Sequence, residues 1–316
     1  MDVLSDAVAA MRTGQPHSAR TQRHAPWGTR FLPQAGAGFH VVLQGSCWLL
    51  PARGEPIHLN TGDVAFLPRE LGHAIADTPT TPLVEVTTPT GELPVPVAPS
   101  PTDGATTLLL CGAYRLDQSR PHPLLAELPD IVHLPARVGR YPALRSAIDL
   151  LGYELDTEQL PGASGVLTPL LDMLLLYILR AWYGEQPDHI ETGWGAALYD
   201  PAVASALHAI HNDPGKAWTV ESLGATARLS RSAFARRFTT MVGTAPLAYL
   251  TWWRMTVAAR TLRDTDALLR VVAENTGYTS EFAFAKAFKR EFGIAPGHYR
   301  SAARVQPSPA VVPAAR

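Results

Sequence analysis

The spacing of apolar residues changes character along this chain. Between Trp27 and Asp117 they gather in short β-rich runs at 39–43, 47–50, 64–67, 83–87 and 106–110, with many Gly and Pro between them. Short strands with frequent turn signals predict a sandwich or barrel. Residues 1–12 read as a short amphipathic helix, 13–26 as a polar stretch without a clear period, and 90–102 as a Pro-rich loop. After loose Pro-rich connections at 121–135, helical spacing dominates from Leu144 onward. The segment 164–183 is apolar on nearly all sides, so something must cover it: the barrel, another helix or a second copy of itself. A bundle or dimer helix is expected there, and Leu175→Glu is expected to disrupt the dimer.

The C-terminal third contains one pattern written twice. Residues 230–249 and 280–299 coincide at Ser230/Ser280, Ala233/Ala283, Phe234/Phe284, Ala235/Ala285, Phe238/Phe288, Gly243/Gly293, Ala245/Ala295, Pro246/Pro296 and Tyr249/Tyr299. Each copy predicts a Ser N-cap, an amphipathic helix with Phe at i and i+4, a Gly stop and a following Pro. Short helical segments at 220–228 and 268–276 precede them, which completes two helix-turn-helix patterns. Between the copies, residues 246–264 have no internal breaker and begin with Pro at a first-turn position.

At 100° per residue, Phe234, Phe238 and Met241 fall on one stripe of the first repeated helix, with Ser232, Arg236 and Thr239 opposite. In the second, Phe284 and Phe288 face inward while Phe282, Lys286 and Lys289 face outward. An outward Phe between cations has a use in a major groove, where it meets thymine methyls. Arg231, Arg237, Lys289 and Arg290 are placed for phosphates. The 246–264 rod is about 28 Å long at 1.5 Å per residue, near the roughly 34 Å of one DNA turn.

Charge sharpens this picture. The net charge of −1 over 316 residues hides an uneven division: from Asp200 onward there are 15 Lys+Arg against 8 Asp+Glu, before it 12 against 20. A basic end carrying paired helix-turn-helix patterns is the electrostatic footprint of a DNA-binding module. Two cysteines exclude a disulfide framework, and no basic-plus-apolar leader opens the sequence, which points to a reducing cytoplasmic setting. The most apolar stretch, 166–183, is interrupted by Asp172 and Arg180 and is barely long enough to span a bilayer, so no membrane role is expected.

Four segments, Ser230-Arg-Ser-Ala-Phe-Ala-Arg-Arg-Phe238, Ala258-Ala-Arg-Thr-Leu262, Ala273-Glu-Asn-Thr-Gly-Tyr278 and Phe288-Lys-Arg-Glu-Phe-Gly-Ile-Ala-Pro-Gly-His-Tyr-Arg300, resemble the AraC/XylS transcription-regulator signature over about 200–301. The resemblance implies two helix-turn-helix subdomains on a linker helix, binding double-stranded promoter DNA. It puts base contacts on Ser232, Ala235 and Arg236 in the first motif and on Glu281, Phe282, Ala285 and Lys286 in the second. Ala235 and Ala285 are short for readers, so direct readout is expected to rest on few side chains.

The N-terminal part resembles the cupin-like sensor domain of one branch of that family, through His40-Val-Val-Leu-Gln-Gly-Ser-Cys-Trp48, Leu59-Asn-Thr-Gly-Asp63 with Pro68 and His73, and Cys111-Gly-Ala-Tyr114. The expected fold is thus α+β and multi-domain. It has a cupin-like β-barrel with a helical dimerisation segment at 1–185, a linker at 186–200, an all-α double helix-turn-helix at 201–302 and a disordered tail at 303–316. The implied protein is a homodimer that senses an effector and, if it activates, engages RNA polymerase.

Gly62-Asp63 with Pro68 and His73 has the shape of a second cupin motif delivering a histidine to the barrel interior, and His40 lies on a strand that faces it. The His-x-His of a metal cupin is missing, since Val42 takes the second place, and this counts against the competing class, a metal-dependent cupin enzyme with an appended DNA-binding module. Two histidines nucleate a Zn²⁺ or other transition-metal site when a third donor approaches, and His24 or Cys47 is nearest in sequence. The alternative is a pair of hydrogen-bonded barrel histidines without metal. Cys111, followed by Gly112 and so open to close approach, is a redox or electrophile-sensing candidate with Cys47 as its partner, or else a small buried hydrophobe. A regulator whose barrel only dimerises is the third reading.

Overall fold

The structure is a computed structural model, and it describes residues 2–86, 104–116, 122–156, 161–185 and 192–305. The loop read at 90–102 lies outside the described residues, as do 306–316 of the expected tail. The chain divides into two compact units, one of residues 12–185 and one that joins 1–11 to 186–316.

The first unit is built on two five-stranded sheets. One has the order β1 (His17–His24), β9 (Thr106–Tyr114), β3 (Ala37–Gln44), β6 (Val64–Leu67), β10 (Val132–Leu134). The other runs β5 (Ile57–Asn60), β4 (Ser46–Pro51), β7 (His73–Ala76), β2 (Gly28–Phe31), β8 (Val84–Val86). The polar stretch at 13–26 contains β1, a strand that composition hid. Its residues are mostly half-buried because it pairs along its whole length with β9, His17 opposite Ala113 through His24 opposite Thr106. A strand with one neighbour need not read as apolar. Between the sheets, Val42, Cys47, Leu49, Leu59, Ile75, Leu109 and Cys111 form the core.

Asp63 anchors the turn after β5. Buried in the barrel wall, its carboxylate accepts from Asn60 N at 3.0 Å and from Ala136 N at 2.7 Å. Gly112 fulfils the close approach expected of it, because a Cβ there would collide with the Phe39 ring.

Three helices, α2 (Pro123–Ala126), α3 (Pro142–Asp156) and α4 (Ala163–Gly184), complete the unit. By length and composition α4 could cross a bilayer, but its buried residues have partners here. Tyr114 Oη donates to Leu171 O at 2.8 Å, Tyr183 Oη to Leu124 O at 2.8 Å, and Arg12 pairs with Asp172. Leu175 is only 2% exposed and belongs to this core. The expectation that it faces a second copy is therefore corrected: Leu175→Glu would put a charge into the unit's own interior.

The second unit is helical, with α1 (Val3–Met11), α5 (Gly193–Tyr199), α6 (Pro201–Asn212), α7 (Val220–Thr226), α8 (Arg231–Val242), α9 (Pro246–Asp264), α10 (Leu269–Asn275), α11 (Glu281–Phe292) and α12 (Pro296–Val305). The helix read at 1–12 forms, but α1 packs on α6 and α9 rather than joining the barrel. Its Asp6 lies 3.4 Å from His211 Nδ1, and His211 Nε2 bonds Tyr249 Oη at 2.7 Å beneath the stacked Trp253 ring.

The linker read at 186–200 is corrected from Gly193 onward. Trp194 is fully buried beside Tyr249 at 5.7 Å and, despite two glycines, residues 193–199 form α5. Asp200, read as the linker's last residue, is the N-cap of α6.

Candidate functional site

The repeated helices form as their caps dictate. Ser230 accepts from Ala233 N and Ser280 from Ala283 N, satisfying amides that a helix start leaves open. Gly243 and Gly293 end the helices at φ of 77° and 75°, where a side chain would be strained. Phe234, Phe238, Phe284 and Phe288 are fully buried. Val242 rather than Met241 completes the inner stripe of α8.

Ser232, Arg236 and Thr239 are exposed on α8, as are Glu281, Phe282, Lys286, Lys289 and Arg290 on α11, while Ala235 and Ala285 are half-buried between the faces. Phe282 is 80% exposed. Arg231 is exposed at the start of α8. Arg237 is engaged: its Nε donates to Asp200 Oδ2 at 2.9 Å. Burial works against the charge of Asp200, but the bonds from Arg237, Val203 N and Ala202 N outweigh it and hold that carboxyl below its usual range. This ties α8 to the start of α6 through Nε and Nη2 and leaves the side chain half-exposed.

The barrel interior holds a second arrangement. His40 on β3 lies opposite Cys111 on β9, and its Nδ1 meets Cys111 Sγ at 2.9 Å. Its other nitrogen, Nε2, meets His73 Nε2 at 2.6 Å, and His73 Nδ1 bonds Glu70 Oε1 at 2.7 Å. One assignment of protons satisfies every link. Cys111 S–H donates to His40 Nδ1, His40 Nε2–H to His73 Nε2, and His73 Nδ1–H to the Glu70 carboxylate. Burial, then the neighbouring His73, hold the His40 pKa well below its ordinary value, so this imidazole is neutral. Burial, then Cys47, pushes the Cys111 thiol up to about 12. Phe31 stacks on His73 at 4.7 Å, and Gly38 makes room for Glu70, whose carboxylate a Cβ there would strike.

The sequence expectation that His40 faces His73 matches this geometry. The expectation that His24 joins them does not: His24 bonds Thr106 Oγ1 and Gln22, each at 3.2 Å, on the barrel's edge strand. Cys111 and His73 hold opposite edges of the His40 ring, so one ion cannot touch all three. The 2.6 Å between the two Nε2 atoms suits a shared proton, whereas two donors at about 2.0 Å on a tetrahedral zinc stand farther apart. Among the described residues no group of three or more His, Cys, Asp or Glu is arranged to hold a metal. Cys47 is buried and free, in the same apolar cluster as Cys111. Glu70 is the member that sequence reasoning missed; it lies three residues before His73, but nothing local shows that the two side chains meet.

A barrel unit with a buried polar chain, and a helical unit with two capped helix-turn-helix motifs presenting cations, define a two-domain DNA-binding regulator. Comparison with known proteins agrees. A cupin family profile matches residues 2–184 and a helix-turn-helix domain profile matches residues 223–302. A putative AraC-like transcription regulator of Streptomyces lividans is 35% identical over 301 residues, covering 95% of this chain and 98% of that protein. The RCS-specific HTH-type transcriptional activator RclR of Escherichia coli K12 is 32% identical over 269 residues, 84% of each chain. Among solved structures, the DNA-binding domain of AdpA in complex with a target DNA is 34% identical over 34% of this chain and 96% of that one, with a TM-score of 0.32. The chain belongs to the AraC-like transcription regulators, with a cupin N-terminal domain and a DNA-binding helix-turn-helix region.

Proposed function

We propose that α8 and α11 read successive major grooves of promoter DNA, and that the Cys111–His40–His73–Glu70 chain is the sensing centre that controls this binding. The observation that carries the DNA reading is the outer face of α11, where Phe282 stands exposed among Lys286, Lys289 and Arg290. Arg236 and Lys286 read base edges, alongside Ser232, Thr239 and Glu281, and Phe282 meets a thymine methyl. Arg231, Lys289 and Arg290 hold phosphates, while Arg237 positions α8 through Asp200. Selection of duplexes from a random pool by the full-length protein tests this. Enriched sites should contain two half-sites about one helical turn apart; a single half-site would overturn the two-groove reading.

In the barrel, the Cys111 sulfur attacks an electrophile or two-electron oxidant E–X as its proton is taken up. The S–E bond forms, X leaves with the bonding electrons, and the thiol proton passes through His40 and His73 to the Glu70 carboxylate. Neither histidine ends up charged, which matters where burial opposes a cation. Glu70→Gln removes the proton acceptor while keeping the shape, and iodoacetamide labelling of Cys111 should slow about tenfold or more. An unchanged rate would dismiss the relay.

The active form is a cytoplasmic homodimer, and where it activates a promoter its partner is RNA polymerase. On α4 the residues Val166, Leu170, Met173 and Tyr177 follow coiled-coil spacing and stay partly or fully exposed. Leu150 and Tyr153 of α3 are exposed too. Met173→Glu should therefore dissociate the dimer in sedimentation with the fold intact, and a persisting dimer would refute this face. The barrel is read as a sensor, and the enzyme alternative predicts turnover that this donor set does not support.

A further inference from the structure

The buried cation Arg23 is not used by anything described so far. It sits on β1 opposite Thr107, is only 9% exposed, and has no carboxylate or hydrogen-bond acceptor as partner among the described residues. A guanidinium cannot escape burial by losing its proton near neutral pH. A buried charge is ordinarily paired, and here the Cys111 thiol in the same cavity lining is the group that acts on it electrostatically. With that thiol's pKa pushed up to about 12, the chain supplies no thiolate to balance it.

Arg23 also lines a cavity between the two sheets, together with Thr21, Thr29, Phe31, Leu109 and Cys111. Its volume is about 20 Å³, space for a species the size of one water molecule or one small ion. Alternation along β1 turns Thr21 and Arg23 to the same side of the strand. The Thr21 hydroxyl bonds the Cys111 thiol, so the site offers one fixed cation, the Thr29 hydroxyl and apolar walls.

We propose that this cavity is a binding site for a small monovalent anion of halide size, held by Arg23 and the Thr29 hydroxyl beside Cys111. Apolar walls favour a weakly hydrated ion, and the space excludes sulfate or phosphate. The site deepens the sensing reading above, on which its consequence for transcription rests: the anion occupies the approach to the Cys111 sulfur. Anion binding itself does not depend on that reading.

The test is ³⁵Cl NMR line broadening with the full-length protein in a sulfate buffer of constant ionic strength. Wild type should show saturable broadening by chloride that bromide displaces and sulfate does not. Arg23→Gln should weaken binding at least about tenfold, and Thr29→Val about fivefold. Absence of saturable broadening in wild type, or its full retention in Arg23→Gln, overturns the site. Should Arg23→Gln lose its far-UV circular dichroism, Thr29→Val decides: weaker binding supports the site and unchanged affinity overturns it. Because the readout needs neither DNA nor thiol chemistry, failure here leaves the relay standing. Slowed labelling absent in Glu70→Gln, with anion binding intact, removes the relay and leaves the site.

Discussion

The two recognition helices, α8 and α11, share a scaffold and differ in what they present. Both start on a Ser cap, bury two phenylalanines one turn apart and stop at a left-handed glycine. Their outer faces diverge. On α8, Arg236 is the exposed cation at the centre, and Arg237 is held by Asp200. On α11, Phe282, Lys286, Lys289 and Arg290 are all exposed. Their leading helices differ as well: α7 has a reciprocal cap between Thr219 and Ser222, whereas Leu268 before α10 gives no side-chain cap. A duplicated frame can therefore keep its inward positions constant while its outward ones take separate roles.

The largest effect expected of any single change tests the shared frame. Phe238→Ala and Phe288→Ala should each cost about 3–5 kcal/mol in urea unfolding of the helical unit, and a cost under about 1 kcal/mol in one copy would break the equivalence. Next comes Arg236→Ala, which should weaken binding to the selected duplex by about ten- to a hundredfold and relax preference at one base pair. Unchanged affinity would mean that the outward face of α8 is misassigned.

A smaller effect separates the copies. Phe282→Ala should weaken binding about fivefold on a thymine-containing half-site. The loss should vanish when that thymine is replaced by deoxyuridine, which lacks the methyl; a loss that persists would place Phe282 elsewhere than against that methyl. Smallest is the salt response. Lys289→Ala should lower the slope of log affinity against log salt by about one, while Arg237→Ala leaves it unchanged. Equal changes from the two would put Arg237 back among the phosphate contacts.

Helices, caps and faces in the C-terminal third were legible because their causes are local. A Ser cap acts on an amide three residues away, and Phe at i and i+4 share a stripe whatever surrounds them. The bounds Pro246–Asp264 of the connecting helix follow from Pro246 at its start and the lack of a breaker. The barrel was less legible. The strand β1 carries arginines, histidines and a glutamine, and only its pairing with β9 makes it a strand. Gly193–Tyr199 read as linker because the burial of Trp194 depends on Tyr249, far along the chain.

By itself, then, the sequence determined two capped DNA-facing motifs, a barrel ahead of them and the pair His40 and His73 as interior residues. Tertiary structure alone decided that Cys111 completes that pair and His24 does not, and that Glu70 ends the chain. It also decided that Leu175 belongs to the core, that Arg237 answers Asp200, and that α1 joins the helical unit. The physical reason is separation along the chain: His40 and Cys111 are 71 residues apart and become neighbours only through the register of β3 on β9. Local rules reach one helical turn, and sheet pairing and burial act across the whole chain.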